Sequence, residues 1–352
     1  MSFPQPLLDW YRQTKRDLPW RKTQDPYRIL LSEIMLQQTQ VQTVIPYYKK
    51  FLAAYPDFKA LAAAPLGKVL KLWEGLGYYS RARNLHALAK TVARRHDGQL
   101  PAEYIQILAL PGIGRYTAGA VLSIAFGLDY PVVDGNVMRV FCRYFGITED
   151  ISKLQIQKQL WDLAARYLPK GEASDYNQAL MELGAMVCTP RAPSCLLCPL
   201  MESCEAYRIG NQNELPVKRK KGEVPHKQIG AGVIWHNGKI LISQRPLKGL
   251  LGGLWEFPGG KQEPHETLPQ CVAREIEEEL GVKVTVGKKI VAVDHAYSHF
   301  KITLHAYDCD YVSGEPQKLG VADWRWVKPQ ELKKFAFPGA NQPILKLIQA
   351  RN

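Results

Sequence analysis

The sequence lacks any long apolar run. None of its 352 residues belongs to a stretch approaching the roughly 18 apolar residues that span a membrane. Its first ten residues, MSFPQPLLDW, contain no basic segment followed by a long apolar run. Low-complexity tracts and internal repeats are also missing, which excludes repeat architectures. We therefore expect a cytoplasmic protein that folds throughout and has no membrane partner.

Cysteine is scarce, with seven residues in the chain. In a reducing compartment, clustered thiols indicate metal binding or catalysis rather than a disulfide framework. Four of them are separated by six, two and five residues: Cys188, Cys195, Cys198 and Cys204. Their spacing alone permits either zinc or a 4Fe-4S cluster. The three isolated thiols are expected to be buried as small apolar groups: Cys142, Cys271 and Cys309.

Acidic residues are outnumbered, with 33 Asp and Glu against 46 Lys and Arg and a net charge of +13. Most of the excess lies in residues 1–210. Lys and Arg gain affinity for nucleic acid by displacing counterions from phosphates, so this half of the chain suits a polyanionic partner. A merely soluble basic surface is the alternative that charge leaves open.

The pattern of apolar residues divides the chain in two. Helical spacing recurs from residue 5 to 210, punctuated by Pro and Gly, which predicts an all-α domain over 1–210. Short β-branched runs around one helical pattern predict an α+β domain over 228–352. Residues 211–227 lack apolar periodicity and contain KRKK, so we interpret them as a basic linker near DNA phosphates, with a solvated tether as the alternative.

A glycine turn precedes one helical pattern of the first domain. In LALPGIGRYTAGAVL, Gly112 and Gly114 stand just before a predicted helix, whose exposed N–H groups can bind a phosphate. The segment VVDGNVMRV, which contains Asp134, follows about twenty residues later. Together they resemble the helix-hairpin-helix-plus-Asp signature of base-excision DNA glycosylases, whereas the turn alone would suit an ordinary joint between helices.

Three further features resemble one branch of these enzymes, the MutY-type adenine DNA glycosylases of the endonuclease III superfamily. They are SEIMLQQTQV, the cysteine spacing C-x6-C-x2-C-x5-C, and Tyr116 directly after GIGR. The resemblance implies a 4Fe-4S cluster on the four clustered cysteines. It also implies weak β-elimination, because the related lyases carry a Schiff-base lysine where this chain has Tyr116.

Removal of adenine requires two carboxyl groups in different protonation states. The resemblance assigns protonation of adenine to Glu33, which stands in an otherwise apolar segment where burial should raise its pKa. It assigns stabilisation of the oxocarbenium-like sugar to Asp134. Support of that carboxylate and of the attacking water is implied for Tyr116, Asn136 and Glu182.

An extruded base leaves a gap that side chains must fill. The resemblance implies wedge and intercalating roles for Gln37, Gln38, Thr39 and Tyr78. Arg81 and Arg83 are expected to reach phosphates or the damaged strand. The implied partner is double-stranded DNA with an A:8-oxoG or A:G mispair, bound by a monomer associated with a bacterial nucleoid.

The second domain contains GGKQEPHETLPQCVAREIEEELGV, which fits the Nudix pattern G-x5-E-x7-R-E-U-x-E-E-x-G-U, where U is aliphatic. Three carboxylates fall on one helix face as a candidate Mg²⁺ site: Glu275, Glu278 and Glu279. MutY C-terminal domains resemble the Nudix hydrolase MutT and recognise 8-oxoguanine, usually with a degraded box. HAYSH resembles their probing loop and implies base contacts from Tyr297, Ser298 and His299.

The intact box leaves a second activity open, a Mg²⁺-dependent diphosphohydrolase acting on oxidised nucleotides. A lesion sensor that binds DNA without cutting it is a further alternative. The HAYSH segment favours lesion recognition over nucleotide turnover in the second domain.

Overall fold

The computed structural model describes residues 3–219, 222, 224–297 and 299–351. The chain divides into two compact units, one formed by residues 1–63 and 87–220 and the other by residues 64–86 and 221–352. The described part of the first unit contains helices and no strand, and the second contains a sheet with helices. The multidomain class, all-α followed by α+β, is therefore confirmed.

Capping residues fix where several helices begin and end. At α2, Asp25 accepts hydrogen bonds from the N–H groups of Tyr27 (2.8 Å) and Arg28 (3.2 Å). Gly127, with a φ of +68°, ends α8. No helix of the described residues is long and apolar enough to cross a membrane. The helices up to residue 210 are α1 (Pro4–Thr14), α2 (Pro26–Leu36), α3 (Val41–Ala54), α4 (Phe58–Ala63), α5 (Leu66–Trp73), α6 (Ser80–Arg95), α7 (Tyr104–Leu108), α8 (Arg115–Phe126), α9 (Gly135–Tyr144), α10 (Leu154–Arg166), α11 (Ala173–Met186) and α12 (Glu205–Ile209).

One apolar core of the first unit joins α1, α9, α10 and α11. Leu7, Phe141, Leu160 and Leu180 contribute one fully buried side chain from each of these helices. Burying such a side chain contributes about 1.5–3 kcal/mol to folding. The core also holds α11 against the N-terminal half of α9, which places Gly184 beside Asn136.

The second unit is built on a mixed sheet. Its described strands are ordered β3-β2-β1-β6-β5, with β4 also paired to β1 and β7 to β2. Only the β1–β6 pair among them is parallel. The elements are β1 (His226–His236), β2 (Lys239–Gln244), β3 (Trp255–Glu256), β4 (Gly259–Lys261), α13 (Leu268–Leu280), β5 (Lys283–Ala296), β6 (Lys301–Ser313), β7 (Asp323–Val327) and α14 (Gln342–Ala350).

Apolar side chains cover both faces of this sheet. On one face α13 contributes Ile276 and Leu280, and on the other α14 contributes Ile344 and Ile348. The start of α13 is fixed by a capping box between Thr267 and Gln270. A left-handed glycine, Gly281, ends it.

Residues 211–219, predicted as a linker, lie against the first unit. Leu215 is 3% exposed, and its carbonyl accepts a hydrogen bond from Arg143 Nε (3.0 Å). The carbonyl of Val217 accepts one from the N–H of Ile151 (3.0 Å). These contacts contradict the alternative interpretation of residues 211–219 as a solvated tether. The segment is attached through backbone groups and one apolar side chain, so its sequence shows no apolar periodicity. Lys220, Lys221 and Glu223 lie outside the described residues.

Candidate active site

A cavity of about 590 Å³ opens in the first unit where three chain segments meet. The last turns of α2 bring Glu33, the first turn of α8 brings Tyr116, and the start of α9 brings Asp134. The structure thus places in one cavity the residues that the sequence assigns to chemistry: Glu33, Tyr116, Asp134, Asn136 and Glu182.

Glu33 is a buried acid. Its side chain is on the inner face of α2, and the residue is 6% exposed. Burial raises the pKa of Glu33 to about 7, although the hydrogen bond from Tyr116 lowers it; the Asp134 carboxylate raises it further. A carboxyl group with such a pKa can hold and release a proton near neutral pH.

The Tyr116 hydroxyl is the hydrogen-bond donor to this acid. It donates to Glu33 Oε2 at 2.6 Å and lies 3.2 Å from Met181 Sδ. Tyr116 reaches Glu33 because it stands in the first turn of α8, which packs against α2. Its support of the Asp134 carboxylate stays a prediction. Burial raises the pKa of Tyr116 well above its ordinary value, so the phenol remains a donor at physiological pH.

Asp134 is the N-cap residue of α9. Its Oδ1 accepts hydrogen bonds from the N–H groups of Asn136 (2.9 Å) and Val137 (2.7 Å), and its Oδ2 accepts one from Asn136 Nδ2 (2.9 Å). Burial raises the pKa of Asp134, and these three donors and the positive end of the helix act against that rise. These donors fix the orientation of the carboxylate and offset part of the cost of burying its charge.

Arg139 holds the side chain of Asn136, and sequence reasoning did not predict this contact. Its Nη2 donates to Asn136 Oδ1 (2.8 Å) and to the carbonyl of Gly184 (2.6 Å), and its Nε donates to the carbonyl of Cys188 (2.7 Å). A Cβ on Gly184 would lie 2.5 Å from Asn136 Cβ, so only glycine permits this approach of α11.

Glu182 forms a buried ion pair with two arginines. Arg16 approaches its Oε2 at 2.5 Å and Arg21 at 2.9 Å. Although burial raises the pKa of Glu182, the hydrogen bonds from these guanidinium groups outweigh it and lower the pKa to about 2. Glu182 is thus permanently ionised and held by cations, and the structure shows no contact of it with Asp134. Arg16 and Arg21, which line the cavity, were missed because their partner is 160 or more positions away.

The residues that the sequence places around an extruded base line the same cavity. Gln37, Gln38 and Thr39 follow the end of α2 at Leu36, so they lie in a turn rather than on the helix. Gln38 has a φ of +57°, a left-handed conformation that is uncommon for a residue with a side chain. The cavity is also lined by the two exposed glycines of the hairpin before α8, Gly112 and Gly114.

Tyr78, Arg81 and Arg83 lie in the second unit. Tyr78 is 42% exposed and has a φ of +46°. Arg81 is 7% exposed, packs over the rings of Trp73 and Tyr78, and burial lowers its pKa to about 10. Arg83 donates to the carbonyl of Gly252 (2.8 Å). Both guanidinium groups thus make contacts within the protein, and the phosphate contacts expected of Arg81 and Arg83 stay predictions.

A second cavity, of about 650 Å³, lies within the second unit. It is lined by Tyr78, Tyr297 and His299, which the sequence proposes for the base opposite adenine. Tyr297 is half-buried, and its N–H donates to the carbonyl of Phe300 (2.9 Å) in a tight turn. Ser298, the third residue proposed from HAYSH, lies outside the described residues.

The four clustered cysteines are free thiols in a loop of turns after α11. Fully buried Arg143 donates to Cys188 Sγ (3.3 Å) and to the carbonyl of Thr189 (2.7 Å). Among the described residues, no group of three or more His, Cys, Asp or Glu is arranged to hold a metal ion.

The carboxylates of the Nudix pattern are likewise not arranged to hold a metal ion, within the described part of the chain. Arg274 pairs with Glu275 (3.0 Å) and with the exposed Glu278 (2.9 Å). Burial raises the pKa of Glu279 to about 7, and the neighbouring carboxylates of Glu256 and Glu275 raise it as well. The Mg²⁺ site and the diphosphohydrolase activity therefore stay predictions.

Comparison with known proteins identifies relatives of both units. The HhH-GPD superfamily of base excision DNA repair proteins matches residues 31–166, and the NUDIX domain matches residues 230–347. Human adenine DNA glycosylase is 36% identical over 407 aligned positions, covering 99% of this chain and 74% of that protein. The adenine DNA glycosylase of Buchnera aphidicola subsp. Schizaphis graminum is 36% identical, covering 86% of this chain and 85% of that protein.

A solved structure of a thermostable thymine-DNA glycosylase is similar in fold to the helical part. It is 37% identical with a TM-score of 0.55, and the match covers 59% of this chain and 95% of that one. A protein named for thymine therefore has an identity close to that of the proteins named for adenine, although its match covers a smaller share of this chain. The choice of base must consequently be argued from the side chains of the cavity.

Proposed function

The chain belongs to the adenine DNA glycosylase family, and we infer from this membership and from the first cavity that it hydrolyses the N-glycosidic bond of adenine mispaired with 8-oxoguanine or guanine in double-stranded DNA. The observation that carries the proposal is a buried acid, Glu33, with a pKa of about 7 in the cavity that also contains Asp134. Adenine is a poor leaving group unless it is protonated, and this cavity supplies a proton at neutral pH.

The two carboxyl groups differ in the donors that surround them. Glu33 accepts one side-chain hydrogen bond, from Tyr116, whereas Asp134 accepts three. Donors stabilise the charged form of a carboxyl group. The shared environment therefore favours a proton on Glu33 and a negative charge on Asp134, which is the division of roles that glycosidic cleavage requires.

The proposed reaction begins with proton transfer from Glu33 to a ring nitrogen of the extruded adenine. The bond between the sugar C1′ and the base nitrogen then breaks, and its electron pair leaves with the base. Asp134 stabilises the resulting sugar cation by its charge or by a transient bond. Water then attacks C1′, breaks that bond where it has formed, and gives its proton to the Glu33 carboxylate. Retention of configuration at C1′ would identify the covalent route.

The second cavity is proposed to receive the base opposite adenine. Tyr78 and Tyr297 offer aromatic faces for stacking, and His299 offers a polar ring beside them. In the first unit, the turn of Gln38 and Thr39 projects at the rim where the extruded nucleotide would leave the helix. The preference for 8-oxoguanine over guanine is assigned to the second cavity.

We assign a 4Fe-4S cluster to Cys188, Cys195, Cys198 and Cys204. The fit is supported by Arg143, a buried cation whose guanidinium group donates to a thiol sulfur, as suits a site that becomes anionic. When bound, the cluster would cross-link the loop after α11. The chain's own contribution is Arg139, which joins the carbonyl of Cys188 to Asn136 in the first cavity.

Replacing Cys198 with serine is expected to remove iron from the purified full-length protein, from about four atoms per chain to less than one, because a hydroxyl is a poor cluster ligand. Iron analysis and visible absorbance measure this. Cys271→Ser is the matched control, since that thiol donates to the carbonyl of Gly260 (3.6 Å) in the second unit. Zinc in place of iron in the wild-type protein, or equal iron in both variants, would contradict the assignment.

Strand scission with and without alkali tests the proposed reaction. A duplex with one adenine opposite 8-oxoguanine should be cut only after hot alkali, because the protein removes the base and leaves the backbone intact. A duplex with that adenine opposite thymine should stay uncut and serves as the control. Efficient scission without alkali would show a lyase and contradict the role given to Tyr116, which carries no amine.

A further inference from the structure

The segment that carries Tyr78 has a fixed backbone shape. Gly75 and Gly77 take left-handed φ values of +99° and +71°. The carbonyl of Gly77 accepts hydrogen bonds from Trp73 Nε1 (3.1 Å) and Arg81 Nη2 (3.2 Å). Because these contacts hold the turn, the backbone of Tyr78 can shift little unless residues 74–78 move together.

The carboxylate of Glu74 attaches this segment to the C-terminal residues of the second unit. Its Oε1 accepts hydrogen bonds from the N–H of Phe337 (2.9 Å) and from Gln342 Nε2 (3.2 Å). Its Oε2 pairs with Lys71 Nζ (2.5 Å), which also donates to the carbonyl of Phe335 (2.9 Å). The Glu74 side chain is only 20% exposed, so solvent screens these charge-assisted contacts weakly.

The far end of the attachment is rigid. Phe337 is fully buried and packs on Phe257, with 5.5 Å between ring centroids. The carbonyl of Ala336 accepts a hydrogen bond from the N–H of Trp255 (2.8 Å) at β3. A continuous set of contacts therefore runs from the sheet through Glu74 to the turn of Tyr78.

We propose that Glu74 is a positioning residue for lesion recognition, whose carboxylate sets the separation of Tyr78 from Tyr297 and His299 across the second cavity. The inference rests on the proposed function, since it takes the base opposite adenine as the occupant of that cavity. Residue 74 lies in the HhH-GPD match and residue 337 in the NUDIX match. Through the Glu74 carboxylate, residues of the Nudix-like part thus help to determine which base opposite adenine the protein accepts.

The test uses the full-length protein and single-turnover excision of adenine opposite 8-oxoguanine and opposite guanine. Glu74→Gln should lower the ratio of the rate opposite 8-oxoguanine to the rate opposite guanine by about tenfold. Loss of the charge releases Lys71 and weakens the hydrogen bond from the N–H of Phe337. Lys68→Met, an exposed change on the same helix α5, should leave the ratio unaltered. In a Tyr78→Ala background, Glu74→Gln should alter the ratio by less than about twofold, since its effect passes through Tyr78.

An unaltered ratio in Glu74→Gln would overturn the inference, as would an equal loss of the ratio with and without Tyr78. A parallel fall of both rates together with a lower melting temperature would also overturn it, because it would leave Glu74 a purely structural role. A wild-type protein that excises adenine from neither duplex would overturn the proposed function and this inference together.

Discussion

Glu33→Gln is expected to lower the single-turnover rate of adenine excision by about 10³- to 10⁴-fold. Glutamine has the same shape and still accepts the hydrogen bond of Tyr116, but its amide cannot donate a proton to a purine nitrogen. Binding of the mispaired duplex should be retained, because the exchange removes no cation from the surface. Rate and affinity are measured on the same duplex, so that loss of chemistry is separated from loss of binding.

The stability of this variant provides its control. Burial raises the pKa of Glu33 from its ordinary value of 4.5 to about 7. A raised carboxyl pKa contributes stability that is fully present below about pH 4.5 and is lost as pH rises through about 7. Glutamine carries no such loss, so Glu33→Gln should melt no lower than the wild type at pH 8. A variant that keeps more than about a tenth of the wild-type rate would remove Glu33 from the reaction.

Asp134→Asn is expected to lower the excision rate by about 10²- to 10³-fold, because the neutral amide cannot stabilise a sugar cation. Asparagine still offers its oxygen to the N–H groups of Asn136 and Val137, so α9 keeps its cap. Only the contact with Asn136 Nδ2 is lost when two amide NH₂ groups face one another. Single-turnover kinetics at saturating protein measure the effect.

The matched control for Asp134 is Asp25→Asn at the N-cap of α2. This carboxylate accepts the equivalent pair of backbone hydrogen bonds, from Tyr27 and Arg28, and it does not line the cavity. Its replacement should leave the excision rate within about twofold, because a cap affects helix stability rather than chemistry. Equal effects of the two substitutions would mean that Asp134 acts only as a cap.

The local environments of the two carboxyl groups could be read from the sequence, whereas their roles were implied by the family resemblance. Glu33 stands in an apolar helical run, and burial follows from that run. Asp134 precedes a helix after a β-branched stretch, which is a capping position in any fold. That both side chains meet in one cavity followed only from the family resemblance, because α2 and α9 are a hundred residues apart in sequence.

Local sequence signals could not identify hydrogen-bond partners that are distant in the chain. The donors to Glu182 come from Arg16 and Arg21 near the N-terminus, and composition cannot pair residues so distant. Arg81 has the residue type of a phosphate ligand, yet two aromatic rings and the Gly77 carbonyl enclose it. An arginine can satisfy its donors inside the protein as well as on DNA, and only coordinates distinguish the two.

The grouping of residues 64–86 with the C-terminal unit was not expected either. Their apolar spacing is that of ordinary helices, so the linear boundaries 1–210, 211–227 and 228–352 follow naturally from pattern. Residues 64–86 are attached to residues 335–342 by a carboxylate and several backbone groups. Such groups occur in any helix, so they give no sequence signal. These boundaries stay a prediction about folding units, and separate expression of residues 1–210 addresses it.

The pH dependence of adenine release tests the central claim most directly. With the wild-type protein and an adenine opposite 8-oxoguanine, the single-turnover rate should reach a plateau just below about pH 7 and fall about tenfold per unit above it, as the acid loses its proton. In more acidic solution the rate should decline again, because Asp134 becomes protonated. Glu33→Gln should be slow and lack this transition. A wild-type rate that stays flat to about pH 9, or the same transition in both proteins, would contradict protonation of adenine by Glu33.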